Sequence, residues 1–221
     1  MRTALSLLFC FCFIHQTFAQ NQSDAMDQKY AITMSAAVFS YKAGIQPGIQ
    51  VKLGKRFGFM SDVGFALSGR GNNQYDEMHF FKLASELKYY SKHSVSGRYF
   101  SFQAGYVHRE FQANDSGWYW RKDSSDATGY GSAHVNSPVF FGAIKLGREL
   151  KIGEKFFLDV FFGIGARYIH TNYDAKNVYT MGRFVDKRDT IFDLAGYSWE
   201  HEGDQVKLHA TTGLRIGYYF R

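Results

Sequence analysis

Charged side chains recur at every second position inside the apolar stretches of this 221-residue chain. In FFKLASELKYY, Lys82, Glu86 and Lys88 alternate with Phe81, Leu83 and Leu87. The same interleaving places Lys52, Asp62, Arg109, Lys145, Glu149, Asp159, Arg167, Lys207, His209 and Arg215 in other apolar runs. Carboxylates and cations gathered on one face of extended segments support two kinds of chemistry. They can neutralise one another as a static polar filling, or form a relay or selective pore that passes ions along successive sites. Buried charges without partners cost several kcal/mol each. Asp62, Glu86, Glu149 and Asp159 are acceptors for the surrounding Lys and Arg, so the static filling is the expectation.

Three further groups have types suited to binding or catalysis. DSGWYWRKDSSD sets Trp118, Tyr119 and Trp120 among charges, where aromatic rings can stack on a sugar or a partner surface. The alternative is an anchor at a membrane boundary, which Trp and Tyr favour, and this is the preferred reading. YSWEHEGD offers Glu200, His201, Glu202 and Asp204, donors of the kind that hold divalent cations. Their spacing matches no ligand motif, and a solvated loop is expected. His79 and His108, with Ser132 or Ser137, supply the residue types of a base and a nucleophile. Neither serine lies in a nucleophile motif, so no enzyme, no cofactor and no metal centre is expected.

The elements that position these residues follow from period two. In VKLHATTGLRIGYYFR, Val206, Leu208, Ala210, Leu214, Ile216, Tyr218 and Phe220 share one parity, opposed by Lys207, His209, Gly213 and Arg215. Alternation of that length means a strand. Eight such segments occur, at about 30–39, 45–54, 57–68, 80–90, 99–111, 139–150, 156–170 and 206–220. Most reach the roughly 9 to 11 residues that a tilted strand needs to cross a bilayer. Their connections alternate between short turns, such as Lys55-Arg56 and 151–155, and long loops at about 112–138 and 171–205. The fold class expected is all-β, an eight-stranded antiparallel up-and-down transmembrane β-barrel. Its apolar face would meet lipid and its charged and glycine-bearing face the lumen. A soluble lipocalin-like ligand-binding barrel shares the alternation with the faces exchanged. A face of glycine and mixed charge suits no dry ligand cavity, and that favours lipid.

The address is read at the start. Met1-Arg2-Thr3, an apolar run from Ala4 to Ile14 and the small-residue site Thr17-Phe18-Ala19 form a secretory signal peptide at 1–19. A short periplasmic segment, 20–29, and a barrel domain, 30–221, follow. Both cysteines, Cys10 and Cys12, lie in the leader, so no disulfide or cysteine metal site is expected in the exported chain. Removing 19 of 221 residues leaves 202, and losing Arg2 takes the formal charge from +6 to +5. These charges are scattered singly rather than clustered on a face, which argues against nucleic acid as a partner. Aromatic residues make up 18% of the chain, with only 2 prolines, and that balance favours strands over helices.

FKLASELKYYSK, RYFSFQAGYVHREF, GRELKIGEKFFLDVFFGIGARY and GLRIGYYF together resemble the small eight-stranded outer-membrane β-barrel proteins of Gram-negative bacteria, an OmpA/OmpX-like barrel in a family of unknown function. The resemblance implies residence in the bacterial outer membrane, with its lipid and lipopolysaccharide as surroundings. It implies a porin-like or structural role, with interaction or adhesion through the extracellular loops and an extracellular ligand that is unknown. Tyr218 and Phe220 resemble the terminal aromatic signal read by the barrel-insertion machinery, although Arg221 makes the aromatic penultimate. Some barrels of this size remodel the acyl chains of lipid A, and the alternative reading is a lipid-A-modifying acyl hydrolase or transferase.

Overall fold

The structure is a computed structural model that describes residues 30–39, 42–66, 76–91, 97–114, 116–122, 126–181 and 200–220. The expected leader and periplasmic segment, 1–29, lie outside the described residues, as does Arg221. Twelve strands are present among the described residues, in chain order: β1 (Tyr30–Phe39), β2 (Lys42–Lys52), β3 (Phe57–Ala66), β4 (Asp76–Tyr90), β5 (Gly97–Ala113), β6 (Gly117–Trp120), β7 (Ala127–Tyr130), β8 (Ser132–Asn136), β9 (Val139–Ile152), β10 (Phe156–Lys176), β11 (Tyr179–Thr180) and β12 (Gly203–Phe220).

The main sheet closes on itself. Each strand from β1 to β5 pairs antiparallel with the next, β5 pairs with β9, β9 with β10, β10 with β12, and β12 returns to β1 through Tyr30↔Phe220. Strand β8 occupies the same place as β9, higher on the wall, between β5 and β10. The ring therefore has eight positions, β8 and β9 sharing one. The break between them falls at Ser137-Pro138, where proline has no N–H to give the ladder. Neighbouring strands close the gap: Ser137 N–H donates to the Arg109 carbonyl (2.8 Å) and His170 N–H to the Pro138 carbonyl (3.1 Å). Parity survives the break, with Ala133, Val135, Ser137 and Val139 all buried. At the opposite end the chain reverses tightly between β9 and β10, with Gly153 at φ +64° where a side chain would be strained.

The faces are assigned by exposure. Ile32, Ile49, Leu83, Phe102, Leu146, Phe162, Ile164 and Leu214 are exposed around the outside, while Asp159, Lys145 and Arg215, on the alternate parity, are buried inside. An exterior of this kind is stable only against lipid, because an exposed apolar surface of such extent in water would drive aggregation. Cross-strand aromatic pairs mark the band's two edges: Tyr30–Phe220, Phe57–Tyr89 and Phe156–Tyr218 at one end, Phe65–Phe81 and Tyr106–Phe140 at the other. Inside, bare glycines make room for rings. A Cβ on Gly147 would fall 2.2 Å from the Tyr99 ring, and one on Gly217 would fall 2.1 Å from Phe157.

The expected strands are all present, and both expected long loops hold strand among their described residues, 182–199 lying outside them. The alternation in β10 continues to Lys176, with Thr171 buried and Tyr173 half-buried, because the wall rises beyond the lipid. The bilayer-spanning length alone places the strand end several residues too early. The stretch 112–138 holds β6, β7 and β8, and 171–205 holds the end of β10, β11 and the start of β12. Strands β11, β7 and β6 form a separate small sheet.

Candidate functional site

Six of the lumen-facing charges expected from the sequence meet at one level of the barrel. Lys88 Nζ lies 2.7 Å from Glu149 and 2.9 Å from Asp159, Lys145 Nζ lies 2.9 Å from Glu86, and Arg215 lies 2.7 Å from Asp159 and 3.6 Å from Glu86. Three cations thus face three carboxylates, and strands β4, β9, β10 and β12 each contribute. Hydroxyl and amide donors occupy the remaining carboxylate lone pairs. Tyr90 and Tyr219 donate to Glu149 (2.8 and 3.3 Å), Tyr99 to Asp159 (2.8 Å) and Ser101 to Glu86 (2.7 Å). Gln50 on β2 donates to Glu149 (3.1 Å) and accepts from Lys88 (3.0 Å), which carries the network across the axis. The six charged side chains are 3% exposed or less. Cations also rest on rings, Lys145 over Phe161 at 4.2 Å and Lys88 over Tyr99 at 4.4 Å.

The other expected lumen residues point inward elsewhere. Asp62 accepts from Gln46 at 3.4 Å. Lys82 stands 5.3 Å above the Phe141 ring, against which His209 also packs. Arg109 donates to the Ser137 carbonyl (3.0 Å) and hydroxyl (2.8 Å), which couples Ser137 to Thr171 (2.9 Å). Lys207 is buried, while Arg167 and Lys52 are half-buried. Ser137 is therefore an inward structural residue, remote in parity from the outward His79 and His108.

Above the lumen the small sheet packs on the inner face of the raised wall. Tyr119 stacks on Tyr173 (centroids 4.1 Å apart, planes 7° apart) within a cluster of Phe111, Ala113, Tyr130, Ala133 and Val135. Strand β6 is tied to the chain entering β12: Trp120 N–H donates to the Glu200 carbonyl (2.7 Å), and Glu202 N–H to the Trp120 carbonyl (2.8 Å). Trp120 is buried and stacked on His201, while Trp118 is exposed. The three aromatics expected to anchor the loop at the membrane boundary thus divide: Tyr119 and Trp120 pack in the interior and Trp118 is exposed. Glu200, His201, Glu202 and Asp204 do not converge either. Among the described residues no group of three His, Cys, Asp or Glu could hold a metal ion.

Histidines cluster on the outer face above the upper aromatic edge. His108 and His134 each reach Glu110 through Nε2 at 3.1 Å, and His170 Nδ1 reaches Asp204 at 2.6 Å. Tyr168 donates to the same Asp204 oxygen at 2.5 Å. The Tyr168 and His170 hydrogen bonds hold the Asp204 carboxyl down to about 2. His79 sits across the ladder from Glu110. Ser132 shares the outward parity of His134 but forms no side-chain hydrogen bond among the described residues. The sequence reading missed Glu110, His134, His170, and the Asp204–His170 pairing. The repeated Tyr-x-His of Tyr106-Val107-His108 and Tyr168-Ile169-His170 is the signal that would have found His170. At the other rim, Tyr218 and Phe220 face outward against Phe156 and Tyr30.

A closed antiparallel ring with an apolar exterior and an ion-paired interior defines an integral β-barrel membrane protein. The chain belongs to a family described as protein of unknown function (DUF3575), whose model matches residues 6–194. Two solved structures are similar. The N-terminal β-barrel domain of Pseudomonas aeruginosa OprF is 12% identical at a TM-score of 0.44, over 87% of this chain and 98% of that one. A major outer membrane protein from Thermus thermophilus is 12% identical at a TM-score of 0.46, over 87% of this chain and 99% of that one. No curated protein matches the sequence.

Proposed function

We propose that the protein is a non-conducting outer-membrane barrel that serves as a structural and interaction protein, meeting its partners through its raised extracellular wall. The observation that carries this is the six-membered ion network across the lumen. An eight-stranded barrel is only wide enough for its own side chains to fill, and here six of those side chains pair in a charge-balanced, hydrogen-bonded network. A conducting pore would leave charged groups lining water rather than locking one another. The inward-packed small sheet adds a second layer at the mouth. Lipid and lipopolysaccharide surround the wall, and Tyr218 and Phe220 are the residues offered to the barrel-insertion machinery. The ligand of the wall is best sought at exposed Trp118, Val178 and Tyr179, and an enzymatic role is not part of this reading.

The test is conductance in planar bilayers. The purified full chain is expected to give no steady porin-sized current. Stable large openings in most insertions would refute the non-conducting reading.

A further inference from the structure

We propose that the histidines above the upper aromatic edge form a proton-titrated contact surface for the phosphate-bearing headgroups of the surrounding leaflet. Tyr106, Phe140 and Tyr168 lie side by side across the ladder, through Tyr106↔Phe140 and Tyr168↔Phe140. All three face outward, at the depth where aromatic rings favour the membrane boundary. His108 and His170 follow two residues beyond the tyrosines on the same outward faces, which lifts them by about 7 Å along the strand. His134 stands higher on β8 and meets His108 through Glu110. The surface is continuous with the lipid-facing band below it, so the groups it meets are those that cap the acyl chains.

The charge arithmetic gives the surface its response. With neutral imidazoles, Glu110 and Asp174 give the first cluster −2, which repels phosphate. Protonating His108 and His134 brings that cluster to 0. The second cluster holds Asp204, Lys122 at 3.5 Å, Tyr168 and His170, and it moves from 0 to +1 when His170 is protonated. The other groups facing this surface are Tyr106, whose hydroxyl is 3.5 Å from His108 Nδ1, and, by ladder position, Phe81 opposite His108, Gln112 and Asp174 beside His134, and His79 opposite Glu110, which all variants retain. Acidification therefore changes the surface by three positive charges where headgroup phosphates lie. An anionic leaflet at about −30 mV concentrates protons roughly threefold at its surface, so lipid and proton binding reinforce each other. The sign follows from charge: the repulsion of phosphate present with neutral imidazoles is relieved as they gain protons.

The test uses the purified full chain folded into vesicles of phosphatidylcholine alone or mixed with phosphatidylglycerol, with urea midpoints read at pH 8 and pH 5. The parent is expected to gain midpoint in anionic relative to neutral vesicles on acidification, by something on the order of 1 M urea. The variant His108→Gln/His134→Gln/His170→Gln is expected to lose that gain. Heat-modifiable gel mobility at pH 8 verifies its folding. If the triple variant does not fold, His170→Gln and His108→Gln singly are each expected to lose about a third of the gain. Equal pH dependence in both vesicle types, or a gain retained in the folded variants, overturns the proposal. So does inorganic phosphate added to neutral vesicles reproducing the effect, since the surface would then bind free anions.

Discussion

Replacing Asp159 by Asn probes the lumen at a carboxylate that meets two cations. Asp159 accepts from Lys88 at 2.9 Å, Arg215 at 2.7 Å and Tyr99 at 2.8 Å, and it is fully buried. The substitution keeps the shape and removes one of three carboxylates, leaving Lys88, Lys145 and Arg215 against Glu86 and Glu149. Breaking a buried pair this way costs about 3 to 5 kcal/mol, because the abandoned cation stays buried. At a urea slope of about 2 to 3 kcal/mol per molar the midpoint should fall by about 1 to 2 M in vesicles. The double variant Asp159→Asn/Arg215→Gln removes one charge of each sign. It preserves Lys88–Glu149 at 2.7 Å and Lys145–Glu86 at 2.9 Å. It should therefore be more stable than the sum of the singles predicts, by about 0.5 to 3 kcal/mol. An Asp159→Asn midpoint equal to the parent's, or strictly additive singles, would mean that water reaches the charges and the network is not a dry filling.

Phe162→Arg should cost about 2 to 4 kcal/mol relative to Phe162→Leu in vesicles, since the side chain faces mid-membrane lipid; equal midpoints would reverse the face assignment. Gly163→Ser, although inward and polar, should also destabilise, because its Cβ would fall 2.5 Å from the Ile144 carbonyl; parent-like stability would show that the wall yields there. Tyr173→Ala removes the ring stacked on Tyr119 and should speed protease cleavage between β6 and β7 on intact cells while leaving gel mobility unchanged; unchanged cleavage would mean the cap is held by other contacts. Because the Asp204 carboxyl is held to about 2, its contribution is complete above the ordinary carboxylate range and lost as pH falls toward about 2. Asp204→Asn should flatten that part of the stability profile, and an unchanged acid limb would disprove the assignment.

The wall of the barrel was legible because its physics is periodic. Lipid demands apolar side chains at one parity and the closed lumen admits charge and glycine at the other, so strands such as 156–170 announce both faces in the chain itself. What was not legible is where lipid ends. Past Tyr168 the outward residues become His170, Asn172 and Asp174, so the apolar alternation fades although the ladder continues to Lys176. The wall above the membrane is held by inward packing of Phe111, Val135 and Tyr173, contacts between segments far apart in sequence. Periodicity carries no information about those.

The same distinction separates the two charge systems. The lumen residues could be named one by one, because inward parity is a local property, but their pairing is a matter of register around the ring. Glu149 on β9 meets Lys88 on β4 across the bore, not along a ladder, and only closure fixes which cation serves which carboxylate. The outer histidines show the converse. His108 and Glu110 are two residues apart and His134 arrives from the next strand in the ring, so one neighbour was readable and the other was not. Within the six-residue network three cations balance three carboxylates, each buried charge meeting one of opposite sign. On the outer rim, where imidazoles and carboxylates remain within reach of water and headgroups, an unbalanced and titrating set can be tolerated. The interior charges therefore serve closure, and the freedom to respond to the surroundings is left to the rim.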